Sequence, residues 1–211
     1  MSTSNIGRHS YHHGDLANAL TSAALELARA GGPDAVVLRE AARKIGVSAT
    51  AAYRHFSSRE DLVHAVKDCA LAELAERMQD ELSRLPAASS GVQRLHDRLR
   101  ALGAGYIGFA LEKPGLFRTA FAHMTPMAGP QGIDPTQTVP FRMLVETLDA
   151  LVAEGALAAD RRPFLEVAAW ATVHGMAELL LDGPLRHLPA DVQQAAVQRS
   201  LDMVTAGIMA G

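Results

Sequence analysis

The stretch LREAARKIGVSATAAYRHF, Leu38 to Phe56, constrains this chain more than any other. It places two short helical segments, Leu38–Ile45 and about Ser48–His55, on either side of Gly46-Val47-Ser48. Each is shorter than the ~12–15 residues an isolated helix needs in water, so each must fold against a partner. Gly46 supplies the positive φ of a sharp turn, and Ser48 is a helix cap. Ala42, four residues before Gly46, is small enough to let the second helix approach, while Ile45, Val47 and Phe56 are placed to seal the corner. Two helices joined this way make a helix-turn-helix, whose second helix fits a DNA major groove.

The rest of the chain reads as helical too. After Asp15, a plausible N-cap, apolar residues recur at Leu16, Leu20, Ala23, Ala24 and Leu27 until Gly31-Gly32-Pro33 stops the helix. Ser57 and Glu60 have capping-box spacing and open a long helix, about Ser58 to Leu85. After the break at 86–91 come Val92–Glu112, a short apolar piece Leu116–Ala122, and an irregular segment, Thr125–Pro140, with four prolines. Phe141–Glu154, Pro163–Leu181 and Ala190–Met209 complete the pattern. The expected fold is all-α with about nine helices: an N-terminal arm (1–14), a helix-turn-helix domain (15–60) and a helical body (61–211).

Composition narrows the class. Hydrophobic residues at 48% and charged residues at 20% suit a globular protein. The single cysteine, Cys69, cannot form an internal disulfide. The first ten residues lack the apolar core of a signal peptide and no run is long enough to span a bilayer, so a cytoplasmic protein is expected. Net charge is -3, yet residues 1–67 hold eight Lys+Arg against six Asp+Glu, and 38–67 hold six against three. The basic excess falls on the helix-turn-helix, as a nucleic-acid partner favours.

Within that module Ser48 and Thr50 offer hydroxyls to phosphates or base edges, and Ala49 and Ala51 let the backbone sit close. Tyr53, Arg54 and His55 lie near the helix end, where donors meet phosphates; Arg39 adds charge beside them. In the arm, Arg8 is a candidate for the minor groove. The nearby histidines at 9, 12 and 13 lack further ligands and a fixed geometry, so no metal or other cofactor is expected.

Gly46-Val47-Ser48, Tyr53-Arg54-His55-Phe56 and Arg59-Glu60-Asp61-Leu62 together resemble the DNA-binding domain of TetR-family transcriptional regulators over residues 15–67. That resemblance implies that Tyr53 and His55 clamp phosphates, Thr50 touches backbone or base, and Arg59 holds a phosphate at the start of the fourth helix. The chain departs from the family pattern at Ala41 and Ile45, where large and small residues are exchanged, at Ala52 where Leu is common, and at Arg59 where Lys is commoner. Trp170-Ala-Thr-Val-His174-Gly175 resembles the signature of the Trp-His-Gly (WHG) type of C-terminal domain.

The family implies a homodimer on a palindrome-like operator and release by a small effector, most commonly as a repressor. Small residues around Trp170 (Ala168, Ala169, Ala171, Gly175, Ala177) with Ala195, Val204 and Ile208 suggest a dimer through the last two helices. Tyr106, Phe109, Phe117, Phe121, Met124, Met127, Phe141, Met143 and Trp170 are candidates to line an apolar effector cavity, with His123 or His174 as polar handle. The rivals are an all-α enzyme acting on a small apolar molecule and an interaction module that has lost DNA binding. No nucleophile elbow, phosphate-binding glycine loop or His-Glu-x-x-His supports the first, and Thr50, Tyr53, Arg54 and Arg59 oppose the second.

Overall fold

The computed structural model describes the backbone of residues 9–86, 91–122 and 137–210, with side chains from residue 15 onward. It is all-helical over these residues, with nine α-helices and no strand among them. They are α1 (His9–Gly31), α2 (Leu38–Lys44), α3 (Ala49–Tyr53), α4 (Arg59–Ser83), α5 (Gly91–Glu112), α6 (Pro114–Phe121), α7 (Val139–Ala153), α8 (Leu165–Leu181) and α9 (Ala190–Met209). Helix α1 begins six residues before Asp15, because Gly14 alone does not break a helix and no proline precedes it. Arg8, His123, Met124 and Met127 lie outside the described residues, as does most of the irregular segment.

The chain divides into two compact units, Met1–Ala70 with Pro114–His123, and Leu71–Lys113 with Met124–Gly211. In the first, Leu20, Ala24 and Ala28 of α1, Ala41 and Ala42 of α2 and Ala52 of α3 are buried. Their small size allows short helices to pack closely, and Leu62 and Val66 of α4 with Leu116 and Phe117 of α6 fill the remaining core. Helix α6 lies hard against the end of α1: a Cβ on Gly115 would stand 2.2 Å from the Ala28 carbonyl oxygen. Only glycine fits there.

The second unit is built on α5, which packs against α7, α8 and α9. Leu99, Leu148, Leu151, Leu157, Ala169 and Ile208 form one buried cluster across these helices. Gly103 allows the approach of α9, since a Cβ there would meet Leu201 at 2.5 Å. Arg77 of the α4 stretch binds Glu112 of α5 (3.1 Å), and Lys113 binds Glu73 (2.7 Å).

Candidate nucleic-acid interface and effector site

The turn between α2 and α3 is built by its backbone. Ile45 ends α2, and Gly46 takes φ +74°. The Gly46 N–H donates to the Arg43 carbonyl (3.2 Å) and the Val47 N–H to the Ala42 carbonyl (3.0 Å), the paired bonds of a Schellman turn. Ser48 then caps α3: its Oγ accepts from the Ala51 N–H at 3.2 Å while its own hydroxyl proton stays available. Ala52 is fully buried, which sets the register of α3 and turns Thr50, Tyr53 and Arg54 to solvent. Tyr53 is 46% exposed although its ring is apolar. The helix is shorter than the Ser48–His55 expected, because Arg54 and His55 continue only as a turn.

Arg39 and Ser48 are exposed on the same module, Ala49 and His55 are half-buried, and Ile45, Val47 and Phe56 line the corner, each half-buried. Ala41 is wholly buried while Ile45 is not, so the exchanged volumes settle with the smaller residue inside. Arg59 is occupied within the unit. Its Nε donates to the Val36 carbonyl (3.0 Å) and its Nη2 to the Pro33 carbonyl (2.6 Å), tying the start of α4 to the α1–α2 connection. The cap of α4 is shifted by one residue from the expected Ser57–Glu60 pair. Ser58 Oγ accepts from the Asp61 N–H (3.0 Å), and the Asp61 carboxylate accepts from the Ser58 N–H (3.1 Å) and from the Ser57 hydroxyl. The Ser57 bond above all holds the Asp61 carboxyl below its ordinary range, against an opposing desolvation and with smaller help from Ser58.

The expected effector residues are distributed over both units. Phe117 and Phe121 belong to the first unit, with ring centroids 4.9 Å apart. In the second unit Phe109 is fully buried under the Lys113 ammonium, 5.7 Å from its centroid. Tyr106, Phe141, Trp170 and His174 come together: Phe141 meets Trp170 edge-on at 5.9 Å, and Trp170 and His174 lie 5.8 Å apart. The Trp170 Nε1–H donates to Tyr106 Oη (3.0 Å), and an indole can only donate. The Tyr106 hydroxyl also lies within hydrogen-bond distance of His174 Nδ1, at 2.8 Å. On the other side of the ring, His174 Nε2 faces Glu178 at 4.0 Å. Burial lowers the His174 pKa, which Glu178 partly offsets, and burial raises that of the Tyr106 hydroxyl.

Sequence reasoning missed Lys67. It is 4% exposed and donates to the Ala122 carbonyl (2.8 Å) just past α6. Burial lowers its pKa against the opposing charge of Asp68. The signal was available, because Lys67 falls between Val66 and Ala70 on the buried register of α4. Among the described residues no cluster of three or more His, Cys, Asp or Glu could hold a metal, and no helix is long and apolar enough to cross a membrane.

Residues 20–66 match the model described as bacterial regulatory proteins, tetR family, and residues 99–204 match the tetracyclin repressor-like C-terminal domain. The chain belongs to the TetR family. Its helix-turn-helix is thus that of a TetR-family DNA-binding transcription regulator, not an enzyme. The C-terminal match is a coarser description than the WHG type suggested by Trp170 and His174-Gly175. Comparison with curated proteins gives no match. Among solved structures, a protein of unknown function from Rhodococcus sp. RHA1 is 25% identical, with TM-score 0.73 over 96% of this chain and 100% of that one. A putative tetR family transcription regulator from Shewanella sp. PV-4 is 19% identical (TM-score 0.64, 92% and 97% covered). A single-residue variant of TetR from Acinetobacter baumannii AYE, solved in complex with minocycline, is 24% identical (TM-score 0.60, 89% and 93% covered). Both share the TetR fold.

Proposed function

We propose that this TetR-family protein is a repressor that binds a palindrome-like operator as a homodimer and is released by a small apolar or aromatic effector. One observation carries the DNA-binding part: α3 is anchored by buried Ala52 while Thr50, Tyr53 and Arg54 stand outward on its other side. Exposing a tyrosine ring and two hydrogen-bonding side chains on a helix this short serves a groove, not a core. Thr50, Tyr53 and Arg54 take the groove and its phosphates, with Ala49 against the bases and Arg39, Ser48 and His55 at the edges. Arg8 of the arm reaches the minor groove. Arg59 acts first by holding the α1–α2 connection.

Self-association is supported by the outer faces of α8 and α9. Val167, Ala168, Ala171 and Leu179 are exposed on one, and Val192, Ala195, Met203 and Ala206 on the other. Gly175 and Gly207 sit inside these helices, where glycine costs about 1 kcal/mol relative to alanine. Among the described residues a Cβ on either would meet nothing within 4 Å, so none of these requires a glycine there. A close second copy would. Ala169, Ala177 and Ile208 from the same expected set are core residues instead. The Tyr106–Trp170–His174 cluster with Phe141 is the reading's effector-sensing element, able to accept an aromatic ring and one polar group.

The decisive measurement is a gel-shift titration of promoter fragments with wild type and the Tyr53→Ala, Thr50→Ala double variant. Binding that weakens by ~30-fold or more, with helical content intact and a steep fall of wild-type affinity with salt, supports the reading. Equal titrations, or a flat salt dependence, overturn it.

A further inference from the structure

Phe164 is the most exposed large hydrophobic side chain among the described residues, at 77%, and the one non-glycine among them with positive φ (64°). A bulky residue in the left-handed region is strained, and glycine would sit there freely. The surroundings hold it there. Its carbonyl accepts from the Val167 and Ala168 N–H groups, both at 3.1 Å, as the cap of α8. Arg162 before it is fixed by Asp149 (2.7 Å) and Glu166. Arg161 donates to the Gly207 carbonyl (3.0 Å) and to that of Ala210, which brings the end of α9 beside the start of α8. The chain thus maintains a strained backbone that lifts a benzyl ring into solvent.

We infer that Phe164 is an anchor of the homodimer, its ring buried by the second copy at the rim of the α8–α9 face. This rests on the self-association reading above. Phe164 precedes exposed Val167, Ala168 and Ala171 by one and two turns of α8, and Arg161 ties the end of α9, where Gly207 is open and Met203 one turn before it is 69% exposed, to the start of α8. The cations beside it, Arg161 and Arg162, are both engaged inside the chain, so neither is offered to an acidic lipid surface or a phosphate backbone. An apolar surface of the same chain is the occupant that fits.

The test is sedimentation equilibrium of the full chain as wild type, Phe164→Ala and Phe164→Gly, with thermal melts of each. Loss of an interface anchor weakens dimerisation by ~30-fold in both variants. Glycine separates anchoring from capping, because it relaxes the left-handed residue and raises the melting temperature of the dissociated chain while still lacking the ring. Wild-type dimerisation by Phe164→Gly overturns the inference and leaves the dimer standing. A wild-type chain that stays monomeric at tens of micromolar overturns the dimer reading first. Co-sedimentation of wild type but not Phe164→Ala with phosphatidylglycerol vesicles, at unchanged dimer affinity, assigns the ring to a membrane and overturns the inference.

Discussion

The two units organise their chemistry on different scales. In the first, the groups that matter are neighbours in sequence: Gly46, Ser48, Ala52 and Tyr53 span eight positions, and each is placed by turn and cap bonds between residues three to five apart. In the second, Tyr106 meets Trp170 and His174 from 64 and 68 residues away. Local chemistry is written in spacing, whereas a contact between α5 and α8 exists only after both helices have packed.

Glycine substitutions offer the sharpest way to break this contrast. Gly115→Ala places a methyl 2.2 Å from the Ala28 carbonyl oxygen and 2.6 Å from that of Arg29, both rigid backbone. It is expected to destabilise the first unit by ~3 kcal/mol or more, seen as a lowered urea midpoint and lost operator binding. Gly175→Ala has open space and should stabilise α8 in the monomer by up to about 1 kcal/mol while weakening self-association. The same chemical change has opposite signs at these two positions. If Gly115→Ala is silent, the tight seating of α6 on α1 is wrong.

Arg59→Ala is expected to come next. It removes two bonds to the Val36 and Pro33 carbonyls, a loss of ~1–3 kcal/mol. Because these bonds are internal, the slope of log affinity against log salt for operator DNA should stay as in wild type. A slope reduced by ~1 would show that Arg59 neutralises a phosphate after all.

That residue also marks how far the sequence could be read. The helix order, the positive φ of Gly46 and the Ser48 cap were all visible, because short-range bonding dictates them. Arg59 resembles a family phosphate contact, but its partners 23 and 26 residues upstream carry no signature. The aromatic list behaves likewise. Tyr106, Phe141, Trp170 and His174 converge, whereas Phe117 and Phe121 belong to the other unit and Phe109 to the core. Composition marks such residues as apolar without saying which cluster each joins. Phe164 was invisible for a further reason: its exposure depends on a backbone conformation that phenylalanine rarely adopts.

A pH experiment probes the body alone. Burial holds the folded His174 pKa below its ordinary 6.5, so the unfolded chain takes up that proton first as pH falls. Stability from this group is therefore full above pH 6.5 and declines below it, as the half-buried ring beside Tyr106 is forced to take on a charge. Urea midpoints should fall from pH 7.5 to about 5.5 in wild type and change less in His174→Gln. Equal pH dependence in the two would remove His174 from the joint between α5 and α8.

The smallest expected effect tests the register of the α4 cap. Hydrogen bonds from Ser57 and Ser58 lower the Asp61 pKa from 3.8, so the charged carboxylate is favoured by folding. That contribution is present above the ordinary value of 3.8 and is lost below it, as pH falls through the lowered folded value. Asp61→Asn should be slightly less stable than wild type at pH 7, with the gap closing only below pH 3.8. Glu60→Gln should leave the midpoint unchanged at both, since Glu60 takes no part in the reciprocal Ser58–Asp61 pair. If Glu60→Gln carries the effect and Asp61→Asn does not, the box sits where the Ser57–Glu60 spacing put it. The N-terminal turn of α4 would then start one residue earlier, and Arg59, now its first residue, would no longer be aimed at the α1–α2 connection.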